Sequence, residues 1–467
     1  MNRPTHDWHF LDNVRAELSD GRAWIDRVVV FAYAIAAGLL VVGFTIASTW
    51  SFAMFERLYH FAPWLVLLWT PAVTVAIVWM TRRHFPGATG SGIPQVLATQ
   101  DRMLPLTMVN RFVSLRLAFA KVLLATAGLA AGLSIGREGP SVQVAAGVMH
   151  HARRWLRPQS AMDDHALLVA GGAAGIAAAF NAPLAGVVFA IEELSRRLES
   201  RNSGLIIAAI VLAGLVAVST FGNLTYFGRI QVTRIGWDAL LPGLAVALAC
   251  GGLGGLFARL LTASLTRSPD RVSLWRNRHP LRFAALGGLA VTAIGLATGG
   301  ATFGAGSEAV KHMLAGHADV PQLYVTLKFV ATWLAAWCGV PGGIFAPSLS
   351  IGAGIGHNVS ALAALAGVAD ADTSAALIAM GMAGFLAAVT QAPLTSFIIV
   401  MEMVDGHSMV LSLMTTAMIA SLTSRVICRP LYLTLAEHMV RNILPAQEKE
   451  QAHTEGRDVH GAPKDAR

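Results

Sequence analysis

Apolar stretches recur along almost the whole chain, at residues 28–49, 63–80, 119–135, 205–221, 240–261, 283–298, 326–340, 375–404 and 410–427. About 20 apolar residues cross the hydrocarbon core of a bilayer, so the pattern predicts an all-α polytopic membrane protein. Several of these runs are too long or too broken for one straight span. Non-helical backbone at membrane depth is tolerated only where protein buries it or a cavity lines it, so each Gly/Pro interruption marks a place of interest.

The most informative interruption is Gly136-Arg137-Glu138-Gly139-Pro140, which places an acidic residue between two apolar stretches. An ionisable side chain at that depth costs about 2.5 to 3.5 kcal/mol on the lenient insertion scale, and its default reading is functional. Two further Gly/Pro breaks, Gly90-Ser91-Gly92-Ile93-Pro94 and residues 342–347, have the same character. Each is expected to open a short helix. A helix start offers unpaired N–H donors and about half a positive charge, enough to hold an anion weakly and release it again.

Composition agrees with the pattern. Of 467 residues, 55% are hydrophobic and 13% charged, against about 25% charged in soluble domains. The net charge of +8 does not imply a nucleic-acid partner. The basic residues flank the apolar runs and lack the aromatic interleaving of single-strand binders. Arg82, Arg83 and His84, then Arg153, Arg154 and Arg157, then Arg196, Arg197 and Arg201, then Arg267, Arg271, Arg276 and Arg278 fit the positive-inside rule. The connections at 369–373 and 405–407 lack Lys and Arg and are expected outside. Residues 1–26 have no signal-peptide pattern and are expected to be a cytoplasmic segment. A transmembrane domain is expected over 27–441, and a short polar tail over 442–467. Cys250, Cys338 and Cys428 have no metal-ligand spacing, and residues 251–255 lack the Lys-Ser/Thr ending of a P-loop, so no metal site, cofactor or enzymatic activity is expected. His150, His151 and His357 are expected at helix ends near the interface.

The chain repeats itself. Residues 168–194 align with 378–404 on Ala182-Pro183-Leu184 and Ala392-Pro393-Leu394, bringing Glu192 opposite Glu402. Residues 121–140 align with 328–347, bringing Gly136-Arg137-Glu138-Gly139-Pro140 opposite Gly343-Ile344-Phe345-Ala346-Pro347. A basic stretch follows the first copy and an acidic one the second, so the halves, about 28–219 and 237–440, are expected in opposite orientation. In such folds, broken helices from both halves meet near the midplane around the substrate.

Taken together, the three motifs in this order resemble the CLC family of chloride channels and chloride/proton antiporters, over residues 28–439 or so. The late Arg429-Pro430-Leu431-Tyr432 matches the family's aromatic ligand. The resemblance implies a bacterial-type member without the paired CBS regulatory domains of many eukaryotic relatives. It implies a homodimer with one pore per subunit, in the cell inner (plasma) membrane, with chloride, protons and membrane lipid as partners.

By position, the resemblance gives chloride four neutral donors: the Ser91 hydroxyl, the Tyr432 phenol and the backbone N–H groups of Ile344 and Phe345. Glu138 matches the external gate and proton acceptor, and Glu193 the inner proton-transfer residue of the antiporter members. Ser91, where some plant relatives have proline, favours chloride over nitrate. Bland readings stand beside these: Ser91 as a helix cap, Tyr432 as an interfacial aromatic, Glu138 tied to Arg137, and Glu193 facing the arginines at 196 and 197. Glu192 and Glu402 are expected to be structural or water-organising. Three functions follow: chloride/proton exchange, a passive gated chloride channel, and a proton-coupled organic-anion carrier. The absence of a basic residue from the matched site speaks against the last.

Overall fold

The computed structural model describes residues 21–101, 104, 106–160, 162–195, 203–222, 226–228, 230, 237–266, 270–316, 320–368 and 370–442. The expectations for residues 1–20, Arg196, Arg197, Arg201, Arg267, residue 369 and the tail from 443 lie outside these.

Among the described residues, the regular structure is helical, and eight helices are long and apolar enough to cross a membrane. The first half contains α1 (Gly21–Phe61), α2 (Val66–His84), α3 (Ile93–Ala98), α4 (Leu106–Phe112), α5 (Leu115–Ala130), α6 (Glu138–His151), α7 (Asp164–Phe180), α8 (Pro183–Phe189) and α9 (Ser203–Phe221). The second contains α10 (Leu240–Thr266), α11 (Arg271–Arg278), α12 (Pro280–Ala297), α13 (Ser307–Leu314), α14 (Tyr324–Trp337), α15 (Phe345–Leu365), α16 (Ala371–Thr390), α17 (Pro393–Val404) and α18 (Val410–Ile427). A last helix, α19, covers 431–442. Helix α1 has 41 residues and is about 60 Å long, twice the hydrocarbon thickness.

Helices α5 to α9 recur in order as α14 to α18. The correspondence reaches the caps: Asn181 (φ 54°) and Gln391 (φ 60°) end α7 and α16 in the left-handed conformation, and each precedes an Ala-Pro-Leu start. Small residues let the central helices pack backbone to backbone, which is how helices associate where lipid removes the hydrophobic drive. A Cβ on Gly171 would lie 2.7 Å from the Ala146 Cα, joining α6 to α7, and a Cβ on Gly352 would strike the Gly381 carbonyl, joining α15 to α16. Helix α16 is accordingly buried all round, unlike the more exposed α9 and α18. The glycines at 251, 254 and 255 serve the same purpose on α10, against α16 and α18.

Two expectations are corrected. The third Gly/Pro break opens a 21-residue helix rather than a short one. His357 consequently sits within α15 and not at its end, because nothing in 353–361 interrupts the helix; His150 and His151 do end α6.

Candidate functional site

The two repeats meet at Gly136 and Gly343. Each N–H donates to the other's carbonyl at 2.7 Å, forming an isolated antiparallel bridge at the starts of α6 and α15. The approach leaves no room for side chains: a Cβ on Gly343 would sit 2.9 Å from the Gly139 nitrogen. Both helices carry proline at their third position, and their first internal bonds run from Ser141 to Arg137 and from Ser348 to Ile344, both 2.9 Å. The N–H groups of Arg137, Glu138 and Gly139, and of Ile344, Phe345 and Ala346, therefore have no partner within their own helix.

The first motif joins this cluster. Gly342 donates to the Gly90 carbonyl at 3.1 Å, and a Cβ on Gly139 would strike the Ser91 Oγ. Gly92 (φ 109°), a conformation that excludes most side chains, is the residue before α3 and places Ser91 against α6. Ser91 is not a helix cap: α3 has no side-chain cap, and the Ser91 Oγ is a buried oxygen without a hydrogen-bond partner.

Tyr432 comes from α19 and stacks on Phe345, with ring centres 6.0 Å apart and planes at 9°. It is 1% exposed, so it is not an interfacial aromatic, and its hydroxyl too lacks a hydrogen-bond partner. The Ser91 and Glu138 side chains lie near the Tyr432 phenol. Ser91, Glu138, Ile344, Phe345 and Tyr432 thus converge. Glu193 stands apart on a wide turn at Ala190–Leu194, closed by the Ser195 N–H donating to the Ala190 carbonyl at 2.8 Å. Wide turns of this kind gather at functional sites.

Glu138 is 1% exposed and lies against the backbone N–H groups of Glu138 itself, Ala346 and Arg137, so donors of both repeats face one carboxyl. Its Oε2 has no hydrogen bond. Arg137 is bound elsewhere, donating to Thr49 Oγ1 (2.8 Å), the Thr45 carbonyl (3.3 Å) and the Tyr226 hydroxyl (3.3 Å). No ion pair joins it to Glu138 among the described residues.

Sequence reasoning missed one pair of residues and left the partners of a second unnamed. The Nζ of Lys121 donates to the carbonyls of Ala88 (2.8 Å) and Gly90 (2.6 Å), and that of Lys328 to Thr302 (3.0 Å) and Gly304 (2.7 Å). Both lysines are fully buried, and both fix the loop before a short helix, α3 or α13. The first lies one residue from Ser91. A lysine within an apolar run is the signal that marks them. The second pair is Glu192 and Glu402. Glu192 accepts from the N–H groups of Leu394 (3.0 Å) and Thr395 (2.6 Å), and Glu402 from Leu184 (3.3 Å) and Ala185 (2.7 Å). Each repeat caps the proline-led helix of the other, which bears out their structural reading.

The arrangement suits a monovalent anion: neutral hydroxyl and amide donors replace water, and a carboxylate competes for the same amides. Comparisons with known proteins agree with this chemistry. The chain is 30% identical over 448 residues to the H+/Cl− exchange transporter ClcA of Cronobacter sakazakii, covering 91% of each. It is 29% identical over 434 residues to the same-named transporter of Salmonella typhimurium, covering 89% of this chain and 88% of that one. Among solved structures it shares the fold of a slow cyanobacterial Cl−/H+ antiporter, with TM-score 0.76 at 24% identity over 89% of this chain and 98% of that one. A CLC-type fluoride/proton antiporter matches with TM-score 0.71 at 21% identity, over 88% and 97%. Residues 72–425 match the voltage-gated chloride channel family model. A multi-pass protein with this fold and these relatives belongs to the voltage-gated chloride channel family.

Proposed function

We propose that the chain is a chloride/proton antiporter of the cell inner membrane, working as a homodimer with one pore per subunit. The observation that carries the reading is the convergence of the Glu138 carboxyl and the unbonded hydroxyls of Ser91 and Tyr432 on one cluster of helix-start amides. Chloride takes the hydroxyls of Ser91 and Tyr432 and the N–H groups of Ile344 and Phe345. Ionised Glu138 occupies the amides just outside. On taking a proton it loses its hold on them, and chloride replaces it. One side chain thus binds the proton and excludes the anion, which couples the two fluxes. Glu193 passes protons between the inner solution and this gate. The names of the curated relatives support exchange over passive conduction.

Purified protein in liposomes, with chloride and pH recorded together, tests the proposal. A chloride gradient should drive protons uphill. A reversal potential that ignores the pH gradient would assign the chain to the passive channels instead.

A further inference from the structure

Residues 87–90, which lead to Ser91, are held at every carbonyl. Gly87 accepts from Gln143 Nε2 (2.9 Å), Ala88 from Lys121 (2.8 Å) and Thr89 from Gln95 Nε2 (2.5 Å). Gly90 accepts from Lys121 (2.6 Å) and from the Gly342 N–H (3.1 Å). Four consecutive acceptors thus bind side chains of three helices, α3, α5 and α6. A loop held in this way cannot shift without breaking buried hydrogen bonds, which is costly where no water replaces them.

Gln143 is the central tie. It lies on α6, one helical turn beyond Gly139, is 1% exposed, and its Nε2 also donates to the Phe112 carbonyl (2.6 Å) at the end of α4. Gly139 and Gln143 are four residues apart and share one face of the helix. Ser91 and Gly92 lean on that face: a Cβ on Gly139 would strike the Ser91 Oγ, and a Cβ on Gly92 would lie 2.9 Å from the Gln143 Cβ. The helix that begins at Glu138 therefore fixes, through one amide, where the Ser91 hydroxyl stands.

The second repeat separates scaffold from addition. Lys328 holds Thr302 and Gly304 as Lys121 holds Ala88 and Gly90. At the places of Gln143 and Gln95 that repeat has Ser350 and Ala309. Ser350 donates to the Gly306 carbonyl instead (3.2 Å), and among the described residues no side chain donates to Ala301 and Phe303, which match Gly87 and Thr89. The two glutamines accompany the repeat that carries Ser91 and are missing from the one that carries Ala305.

We infer that Gln143, with Gln95 beside it, is a positioning residue that sets the anion preference by pinning the Ser91 hydroxyl against α6; this rests on the reading of Ser91 as a chloride donor. With the loop loosened, the hydroxyl draws back. Chloride, which needs close donors to replace its hydration, then loses more than the larger and more weakly hydrated nitrate.

The test uses the full-length protein in detergent, with chloride and nitrate affinities measured by isothermal titration. Gln143→Met keeps the length of the side chain without its donors. Chloride should bind about fivefold more weakly, short of the roughly tenfold expected on removing the Ser91 hydroxyl, and nitrate as in wild type. In the Ser91→Ala background the same substitution should change neither affinity, since it acts only through that hydroxyl. Lys328→Met, which loosens the other repeat, should leave the chloride/nitrate ratio as in wild type. An unchanged ratio in Gln143→Met, while Ser91→Ala does weaken chloride, overturns the positioning role alone. An equal shift in Lys328→Met, or in Gln143→Met with the serine removed, assigns Gln143 to the general fold and overturns the role too. No weakening in Ser91→Ala overturns the chloride reading of Ser91 and the inference with it. If Gln143→Met does not fold, Gln95→Met, which releases one carbonyl, should shift the ratio about twofold in the same direction, and an unchanged ratio overturns the role.

Discussion

The first repeat carries Glu138 and Glu193 where the second carries Phe345 and Met403, whereas the lysines at 121 and 328 and the glutamates at 192 and 402 occur in both. The shared residues are all satisfied by backbone: each lysine holds two carbonyls of its own repeat, and each glutamate holds two N–H groups of the other. The unshared ones are the residues whose polar atoms lack a protein partner or stand on a wide turn that the second repeat does not have. Duplication supplied a scaffold with two helix starts abutting at one point. In the proposed reading, the transport residues are those that depart from the symmetry on one side. Even Ser91 follows this rule, since Gly90-Ser91-Gly92 corresponds to Gly304-Ala305-Gly306, with the same lysine grip and a second positive-φ glycine at Gly306 (φ 85°).

The largest break in the comparison is Glu138→Gln. An amide cannot release a proton but has the shape of a protonated gate, so chloride should pass while proton flux falls at least about 100-fold. Phe345→Leu, at the matching place in the second repeat, should leave the coupling ratio as it is. Both are read by proton uptake driven by a chloride gradient in liposomes. Proton pumping at the wild-type rate in the glutamine variant would remove Glu138 from the proton path.

Next is Glu193→Val, which gives the first repeat an apolar residue where the second has Met403. Chloride flux should persist and proton flux should drop by about tenfold or more. The effect is smaller than at Glu138 because Glu193 is only half-buried, where water can partly replace it. A reversal potential with the same pH dependence in variant and wild type would make Glu193 a bystander.

The lysines sharpen the comparison in the opposite sense. Lys121→Met and Lys328→Met should destabilise alike, by about 2 to 4 kcal/mol, because each leaves two buried carbonyls unpaired. Unfolding in detergent measures this. Function should not follow stability: only Lys121→Met loosens the loop holding Ser91, so only it should weaken chloride binding. Equal chloride affinities in the two variants would show that the lysine near the site contributes nothing to it.

Much of this was legible in the chain because a membrane makes interruptions conspicuous. Glycine, proline and a glutamate inside apolar runs located the starts of α3, α6 and α15, and the alignment of 168–194 with 378–404 disclosed the repeat before any coordinate. What stayed hidden were the partners. Lys121 reaches carbonyls more than 30 residues away, and Glu192 reaches amides about 200 residues away. Backbone groups have no identity in a sequence, so nothing in the text marks residues 88 and 90, or 394 and 395, as the ones that would be held. The wide turn at Ala190–Leu194 was equally silent. Its helix start, Pro183-Leu184, matches Pro393-Leu394, and the divergence comes from how each helix ends.

The smallest effect tests whether the asymmetry extends to a single hydroxyl. Ser91 and Ala305 occupy matching places before α3 and α13, between glycines and beside a buried lysine. Ser91 Oγ has no protein partner, and in the proposed reading it donates to chloride. A hydrogen bond to a charged group contributes about 1.5 to 3 kcal/mol, so Ser91→Ala should weaken chloride binding by about tenfold or somewhat more. Ala305→Ser places the same hydroxyl in the other repeat, where the matching surroundings are already filled: Ser350 hydrogen-bonds Tyr324 and donates to the Gly306 carbonyl at 3.2 Å. That hydroxyl meets no anion, and affinity should be unchanged. Isothermal titration of both variants with chloride decides the matter. Equal weakening in the two, or none in either, would mean that the repeats remain equivalent here and that the chloride donors lie elsewhere in the helix-start cluster.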